Sequence, residues 1–75
     1  MSEATRAQHL AWCRQRAMEL LDAGDRISAV NSLLSDLTKH EETLPTVPMI
    51  RRSANILIHG TQKDVAQFIE DCTEA

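Results

Sequence analysis

The sequence has few of the residues that mark turns between strands, and few aromatic side chains. Its 75 residues contain two glycines, two prolines, one tryptophan, one phenylalanine and no tyrosine. Because β-sheets depend on turn residues and on strands rich in β-branched and aromatic side chains, this composition disfavours a sandwich or a barrel. No glycine-rich phosphate loop is present, which excludes the common nucleotide-binding motifs and leaves no cofactor to predict.

Long apolar runs are missing as well. No stretch approaches the roughly 18 consecutive apolar residues of a membrane span, and the opening MSEATRAQHL lacks the features of a signal peptide. We therefore expect a cytoplasmic protein with no membrane partner. In a reducing compartment Cys13 and Cys72 are expected to be free, buried thiols, and a disulfide between the first and last helices is the alternative.

What the chain does contain suits one small core. Apolar residues make up 43% of it, and its length predicts a single domain, residues 1–75. Eleven acidic and eight basic residues give a net charge of −3. Because affinity for phosphate backbones comes mainly from Lys and Arg, this balance disfavours nucleic acid as a partner.

Helical periodicity and end signals predict a first hairpin. The first helix should cover residues 3–23, with Ser2 as a cap, and the second residues 26–39. Between them, Gly24 suits the left-handed conformation of a helix end, and Asp25 is a good N-cap. A break this short forces the two helices to pack antiparallel.

A second hairpin is predicted after the loop that follows. Its helices should cover residues 48–59, with Pro48 in the first position, and residues 62–72. Gly60 repeats the role expected of Gly24, and Thr61 caps the last helix. The segment NILIHG also suits a short strand, but a lone strand would have no partner in this chain.

These signals predict an all-α fold of four short helices arranged as two antiparallel helical hairpins. The side chains expected in their shared core are Leu10, Ala17, Leu21, Val30, Leu34, Leu37, Ile50, Leu57, Phe68 and Ile69.

The first hairpin carries small and large residues in a familiar order: Ala17, Leu20, Gly24, Asp25, Ala29 and Leu33. In these positions it resembles one tetratricopeptide unit. Any tightly crossed hairpin needs small residues at the crossing, so the resemblance implies hairpin geometry and nothing more.

A second resemblance extends over most of the chain. It is carried by Ala11-Trp12-Cys13, Arg16-Ala17, Leu21-Asp22, Gly24-Asp25, Ala29-Val30, Ser35-Asp36-Leu37, Lys39-His40, Glu42-Thr43 and Phe68-Ile69-Glu70. Together these segments resemble a group of short proteins encoded by actinobacterial phages, although residues 45–58 depart from the Gly- and Met-rich stretch of that group. The resemblance implies a small accessory phage protein in the host cytoplasm, and it brings no established activity with it.

Two residues of the first helix are candidates for a protein interface. Trp12 lies toward the edge of the apolar stripe, with Arg16 one turn further on. Trp and Arg are favoured at the energetic centres of interfaces. The plainer interpretation is a tryptophan that packs at the rim of the core against the third or fourth helix.

The third helix carries the remaining candidates. Arg51 and Arg52, together with Lys63, predict a basic stripe that would suit a small DNA-binding regulator. Arg51 and Arg52 also qualify as protein-interface residues. A DNA-binding function is disfavoured because the third helix is mostly apolar after Asn55, whereas a recognition helix is rich in polar and basic residues.

Metal binding and catalysis find little support. His9 and Cys13 are four residues apart, a spacing that can bring two ligands together, but a structural zinc needs about four. The alternative places Cys13 in the core and His9 at the surface. No cysteine or serine has a base at a spacing that would activate it, so we expect no enzyme.

These observations favour a small non-enzymatic accessory protein of phage type that acts by binding a protein and modulates a host process. Four short helices can leave an apolar strip uncovered, so a second copy of the chain is the other expected partner, as a homodimer. The alternative of another class is the DNA-binding regulator that uses Arg51, Arg52 and Lys63.

Overall fold

The computed structural model describes residues 3–74 of the chain. In this range the fold is all-α and contains no strand. The helices are α1 (Glu3–Asp22), α2 (Arg26–Leu37), α3 (Val47–His59) and α4 (Gln62–Cys72), with one 3₁₀ turn at Glu41–Thr43. The predicted fold class is therefore confirmed, and NILIHG is helical.

The turn between α1 and α2 follows the prediction closely. Gly24 has a φ of +85°, and its N–H and that of Asp25 donate to the carbonyls of Leu21 and Leu20 at the end of α1. These two bonds form a Schellman motif, which satisfies carbonyls that the helix leaves open. The Asp25 carboxylate accepts a 2.9 Å bond from the Ser28 N–H and caps α2. Ser2, the predicted cap of α1, lies outside the described residues.

The third helix begins one residue earlier than predicted. Thr46 is its N-cap, because the Thr46 hydroxyl accepts a 3.3 Å bond from the Met49 N–H. Pro48 therefore stands in the second helical position and not the first. Its missing N–H still costs nothing, because the first-turn N–H groups have no partner within the helix.

The turn between α3 and α4 is only half as predicted. The Thr61 hydroxyl accepts from the Asp64 N–H, and Asp64 accepts from the Thr61 N–H, which completes the expected capping box. Gly60, however, has a φ of −79° and does not repeat the left-handed turn of Gly24. A Cβ on Gly60 would lie 2.6 Å from the Ile56 carbonyl oxygen, so the reason for glycine here is steric.

Four hydrogen bonds between distant residues define how the helices run. Each joins the first half of one helix to the end of another, so the pairs α1–α2, α1–α4, α2–α3 and α3–α4 are antiparallel. The helices α2 and α4, which are also in contact, therefore run parallel. The pairs are His9 with Asp36, Gln62 with Leu21, Arg26 with Gly60, and Arg52 with Asp71. The result is an up-down-up-down arrangement in which α4 packs against α1, α2 and α3.

The core was predicted well for three helices and wrongly for α3. Seven of the expected side chains are buried: Leu10, Ala17, Leu21, Val30, Leu37, Phe68 and Ile69. Leu34 is only partly buried. Ile50 and Leu57 are 52% and 38% exposed, and α3 instead buries Ser53 and Ile56. The helix is turned so that a different face meets α2 and α4.

Candidate protein interface on α1 and α2

A buried carboxylate organises the surface that contains Trp12. Asp36 lies in the last turn of α2 and is 2% exposed, which is rare for an acidic side chain. Arg16 Nε donates to its Oδ2 at 2.7 Å, and Lys39 Nζ lies 3.2 Å from its Oδ1. Ser32 adds a hydroxyl at 3.4 Å. Because both oxygens are paired, the charge can remain inside the protein.

The surroundings of Asp36 act on its pKa in opposite directions. Desolvation by burial is the largest influence, and it raises the pKa. The hydrogen bonds and positive charges of Arg16 and Lys39 together outweigh it, so the pKa of Asp36 lies below its usual value. Asp36 is therefore ionised at neutral pH, and it holds the two cations in place.

Trp12 stands beside both of these cations. Its side chain is 40% exposed, and its ring centroid lies 4.8 Å from the Arg16 guanidinium carbon and 4.7 Å from Lys39 Nζ. Both distances are within the range of a cation–π contact. Arg16 is thus next to Trp12, as predicted. The aromatic and cation–π contacts of the Trp12 ring are made by residues of α1 and by Lys39, just after α2.

Two histidines complete the cluster. His9 Nε2 lies 3.0 Å from the backbone carbonyl oxygen of Asp36, which can only accept, so this nitrogen carries the hydrogen. The His9 ring stacks on Trp12 at 5.8 Å and meets the His40 ring edge-on at 4.3 Å. His9 is therefore partly buried and bonded, where the sequence predicted a surface position. We call Trp12, Arg16, Lys39, His9 and His40 the Trp12 surface.

Cys13 and Cys72 are free, buried thiols, as predicted, and they do not form the disulfide that was the alternative. Cys13 Sγ lies 3.5 Å from His9 Nε2. Desolvation by burial raises the pKa of both Cys13 and Cys72 to about 11. Within residues 3–74 no three His, Cys, Asp or Glu side chains come together as a metal site would require.

A small cleft borders the Trp12 surface on the side of Arg16. It is lined by Arg16, Glu19, Leu20 and Ser32, and its volume is about 230 Å³. Pockets for drug-sized ligands range from about 300 to 1,000 Å³. The cleft is therefore of a size to take one or two side chains of a protein partner.

The basic residues predicted to form a stripe lie among acidic ones. Arg52 donates to Asp71 at 2.8 Å and lies over the Phe68 ring, on the side of α3 that faces α4. Arg51 is exposed and projects about 100° away from Arg52, as adjacent helical residues do. Two arginines of α1 are paired as well, Arg14 with Glu70 and Arg16 with Asp36.

Sequence reasoning did not single out Asp36, Lys39, His9 or His40 for this surface. One signal was present for Asp36: an acidic residue stands between Leu33 and Leu37, within the apolar stripe of α2. A charged residue in such a stripe needs a partner if it is buried. Nothing in the sequence indicates that the partner would come from α1.

No described helix is both long and apolar enough to cross a membrane. Comparisons of the chain with protein-family models, with curated proteins and with solved structures give no match.

Proposed function

We propose that this chain is a non-enzymatic accessory protein that binds another protein through the Trp12 surface. The observation that carries the proposal is the half-exposed Trp12 with Arg16 and Lys39 beside it. Trp and Arg are the residues most often found at the energetic centres of interfaces. An indole that only filled the core would not need two cations around its ring.

The charges around Trp12 indicate the chemistry of the partner. Arg16 and Lys39 bring two positive charges, and Asp36 compensates one of them. The partner should therefore present a carboxylate next to an apolar or aromatic group that packs on the indole. The cleft beside Arg16 can receive a neighbouring side chain of the same partner.

The state of the thiols supports a non-enzymatic role. A pKa of about 11 leaves Cys13 and Cys72 protonated at neutral pH, and the thiolate is the nucleophilic form. Reactive cysteines lie in electropositive, accessible places where their pKa is lowered. Both cysteines are instead buried, and desolvation outweighs the nearby positive charges and raises their pKa.

The phage resemblance suggests the setting of this function. A small accessory protein made in an actinobacterial host would act on a host protein and modulate a host process. The binding experiment therefore starts from an actinobacterial lysate. Tagged chain captures its partner, mass spectrometry identifies it, and the purified partner is then titrated calorimetrically.

Matched variants make this experiment decisive. Trp12→Ala should weaken binding of the purified partner by at least about 30-fold, the scale of an interface hot spot, and Arg16→Ala by about 10-fold. Arg14→Ala is the control, because Arg14 is also an α1 arginine in an ion pair, but with Glu70 on another side of the helix. A partner whose affinity stays within about twofold for Trp12→Ala would contradict the proposal.

The second candidate remains a DNA-binding regulator. Arg51 favours it, because this arginine is exposed and makes no ion pair within residues 3–74. Duplex binding followed by anisotropy should then weaken with salt, and Arg51→Ala with Arg52→Ala should abolish it. We rank this function second because Arg52, the other arginine of the predicted stripe, is paired with the Asp71 carboxylate.

A further inference from the structure

Two of the three histidines of the chain lie in the Trp12 surface, and their rings are in contact with each other. His9 stacks on Trp12 at 5.8 Å, and the His40 ring meets the His9 ring edge-on at 4.3 Å. Histidine is the side chain whose ordinary charge change falls between pH 5 and 8. The charge of this surface therefore depends on pH within the physiological range.

We propose that protons regulate the Trp12 surface, so that acidification charges His9 and His40 and strengthens the binding of a partner that presents a carboxylate. This inference rests on the function proposed above and adds the regulation of the same site. It is carried by the position of the two rings, one against the indole and the other against the first ring.

The hydrogen bond of His9 shows where its second proton goes. Nε2 already carries a hydrogen, because it faces the Asp36 carbonyl oxygen at 3.0 Å. Nδ1 is then the nitrogen that takes up a proton, and the charged ring keeps its bond to Asp36. That carbonyl lies in the last turn of α2, at the negative end of the helix dipole, where a cation is favoured. The fold thus accepts a charge on His9 without losing this contact.

The titratable and charged groups next to the two rings belong to α1, to α2, to the segment after α2 and to the 3₁₀ turn. They are Cys13 and Arg16, Asp36, Lys39, and Glu41 with Glu42. The Cys13 thiol is neutral, since burial raises its pKa to about 11. Asp36 compensates one of the two permanent cations, and the two glutamates are exposed to water and salt, which screen them. Protonated imidazoles therefore add to a surface that already has one uncompensated positive charge.

The contact between the two rings links their protonation to the partner. Two imidazolium rings at a centroid distance of 4.3 Å repel each other, and a carboxylate placed beside them offsets this repulsion. Because coupling between two binding events is reciprocal, a partner that favours the charged rings is itself bound more tightly when the rings are charged. The affinity should therefore rise as the pH falls from 8 to 5.

Fluorescence of the chain alone tests the first half of the proposal. Trp12 is the only tryptophan, and a protonated imidazole in contact with an indole quenches its emission. The emission should fall reversibly between pH 8 and pH 5. His9→Gln should remove most of this change, while its amide can still donate to the Asp36 carbonyl. His59→Gln is the control and should keep the change, because His59 lies at the end of α3 that meets the start of α2, whereas the Trp12 surface lies at the other end of α2.

A small probe of the stated chemistry tests the second half. The molecule 3-phenylpropionate has a carboxylate near an aromatic ring, and like an ordinary side-chain carboxyl group it is mostly ionised above pH 5. Its binding is followed by NMR through the ring C–H signals of Trp12. The Kd should be about fivefold lower at pH 5.5 than at pH 8, the effect of one further exposed charge pair. The uncharged 3-phenylpropanamide should bind equally at both pH values.

The same histidine variants decide the origin of the pH effect. Combining His9→Gln with His40→Gln should reduce the change in the Kd of 3-phenylpropionate to less than about twofold, whereas His59→Gln should leave it intact. Circular dichroism must show that the double variant is folded. His40 is exposed, so His40→Gln alone gives a second test, in which the acid effect should shrink without a change in the interior.

Three results would overturn the proposal: a Trp12 emission that is constant from pH 8 to pH 5, a Kd for 3-phenylpropionate that is equal at the two pH values or too weak to measure at both, and an acid effect that survives in the folded double variant. The function proposed above fails by a different result. In that case Trp12→Ala leaves the affinity for the purified protein partner unchanged at a fixed pH of 8.

Discussion

Replacing Asp36 by Asn is the sharpest test of the charge cluster that supports Trp12. The change keeps the size and shape of the side chain, and it removes the negative charge that pairs with Arg16 and Lys39. The Asp36 side chain is only 3% exposed, whereas those of Arg16 and Lys39 are 48% and 53% exposed. The substitution therefore leaves two cations that water can solvate again, and no unpaired charge in the interior.

The expected cost follows from these exposures. A hydrogen bond to a charged group contributes about 1.5–3 kcal/mol when it is shielded from water. Two such bonds would contribute about 3–6 kcal/mol. Because the Arg16 and Lys39 side chains are about half exposed, we halve this figure and expect Asp36→Asn to lower the free energy of unfolding by about 2 kcal/mol. For a domain of this size such a loss lowers the Tm by roughly 8–16 °C. Glu70→Gln is the control. The side chains of Glu70 and Arg14 are both about half exposed, so their ion pair should contribute less than about 1 kcal/mol to the free energy of unfolding.

The pH dependence distinguishes this mechanism from a packing defect. The pKa of Asp36 is lower in the folded state than its ordinary value of 3.8, so ionisation stabilises the fold above that pH. This contribution is lost as the pH falls through the folded-state pKa, when Asp36 takes up its proton. The difference in unfolding free energy between wild type and Asp36→Asn should thus be constant near neutral pH and shrink below pH 3.8. The other carboxyl groups titrate in both proteins and cancel in this difference.

Urea denaturation at several pH values, followed by circular dichroism, measures these quantities. Two results would refute the reasoning. One is a cost at neutral pH no larger than that of Glu70→Gln. The other is a cost that persists unchanged in acid, because a charge that stabilises the fold must lose its effect when it is neutralised.

Three further changes test the fold and the thiols. Ile56→Ala removes a buried side chain and should cost about 3 kcal/mol of unfolding free energy in urea denaturation. Ile58→Ala, at an exposed position of the same helix, should cost less than about 0.5 kcal/mol, and similar costs for the two changes would mean that α3 packs by another face. Thr61→Ala should cost about 1 kcal/mol by removing the cap of α4, and Thr61→Ser should restore it, as thermal melts would show. At pH 8 roughly one in a thousand of the Cys13 and Cys72 thiols is ionised, so both should react only slowly with a thiol reagent until urea unfolds the chain. Rapid labelling of the native protein would contradict their burial.

The parts of the fold that could be predicted are those determined by neighbouring residues. The side chains of Asp25 and Thr61 cap their helices by accepting a hydrogen bond from the N–H three residues further on. Each of these interactions therefore lies within four consecutive residues. The end of α1 is likewise local, because the Gly24 N–H donates to the carbonyl three residues earlier and the Asp25 N–H to the carbonyl five residues earlier. Such signals place helices and turns without any knowledge of the tertiary structure.

The orientation of α3 could not be predicted in this way. The helix is apolar on two sides, and periodicity alone does not decide which side meets the core. Ser53 is buried at a position that a hydrophobic pattern assigns to the surface, because its hydroxyl donates a 2.6 Å bond to the Ile50 carbonyl within the helix itself. The surroundings of Trp12 were missed for a related reason: the pairing of Arg16 with Asp36 joins residues 20 positions apart.

The buried carboxylate of Asp36 has a consequence for the kinetics and thermodynamics of recognition. A flexible Arg or Lys that becomes immobile in a complex loses rotamer entropy, at a cost of about 0.5–1.5 kcal/mol for each side chain. Arg16 and Lys39 have already lost much of this freedom when the chain folds, because both are bound to Asp36 beside Trp12. A protein that docks on the Trp12 surface therefore meets a preorganised site, and the smaller loss of entropy should appear as a slower dissociation rate.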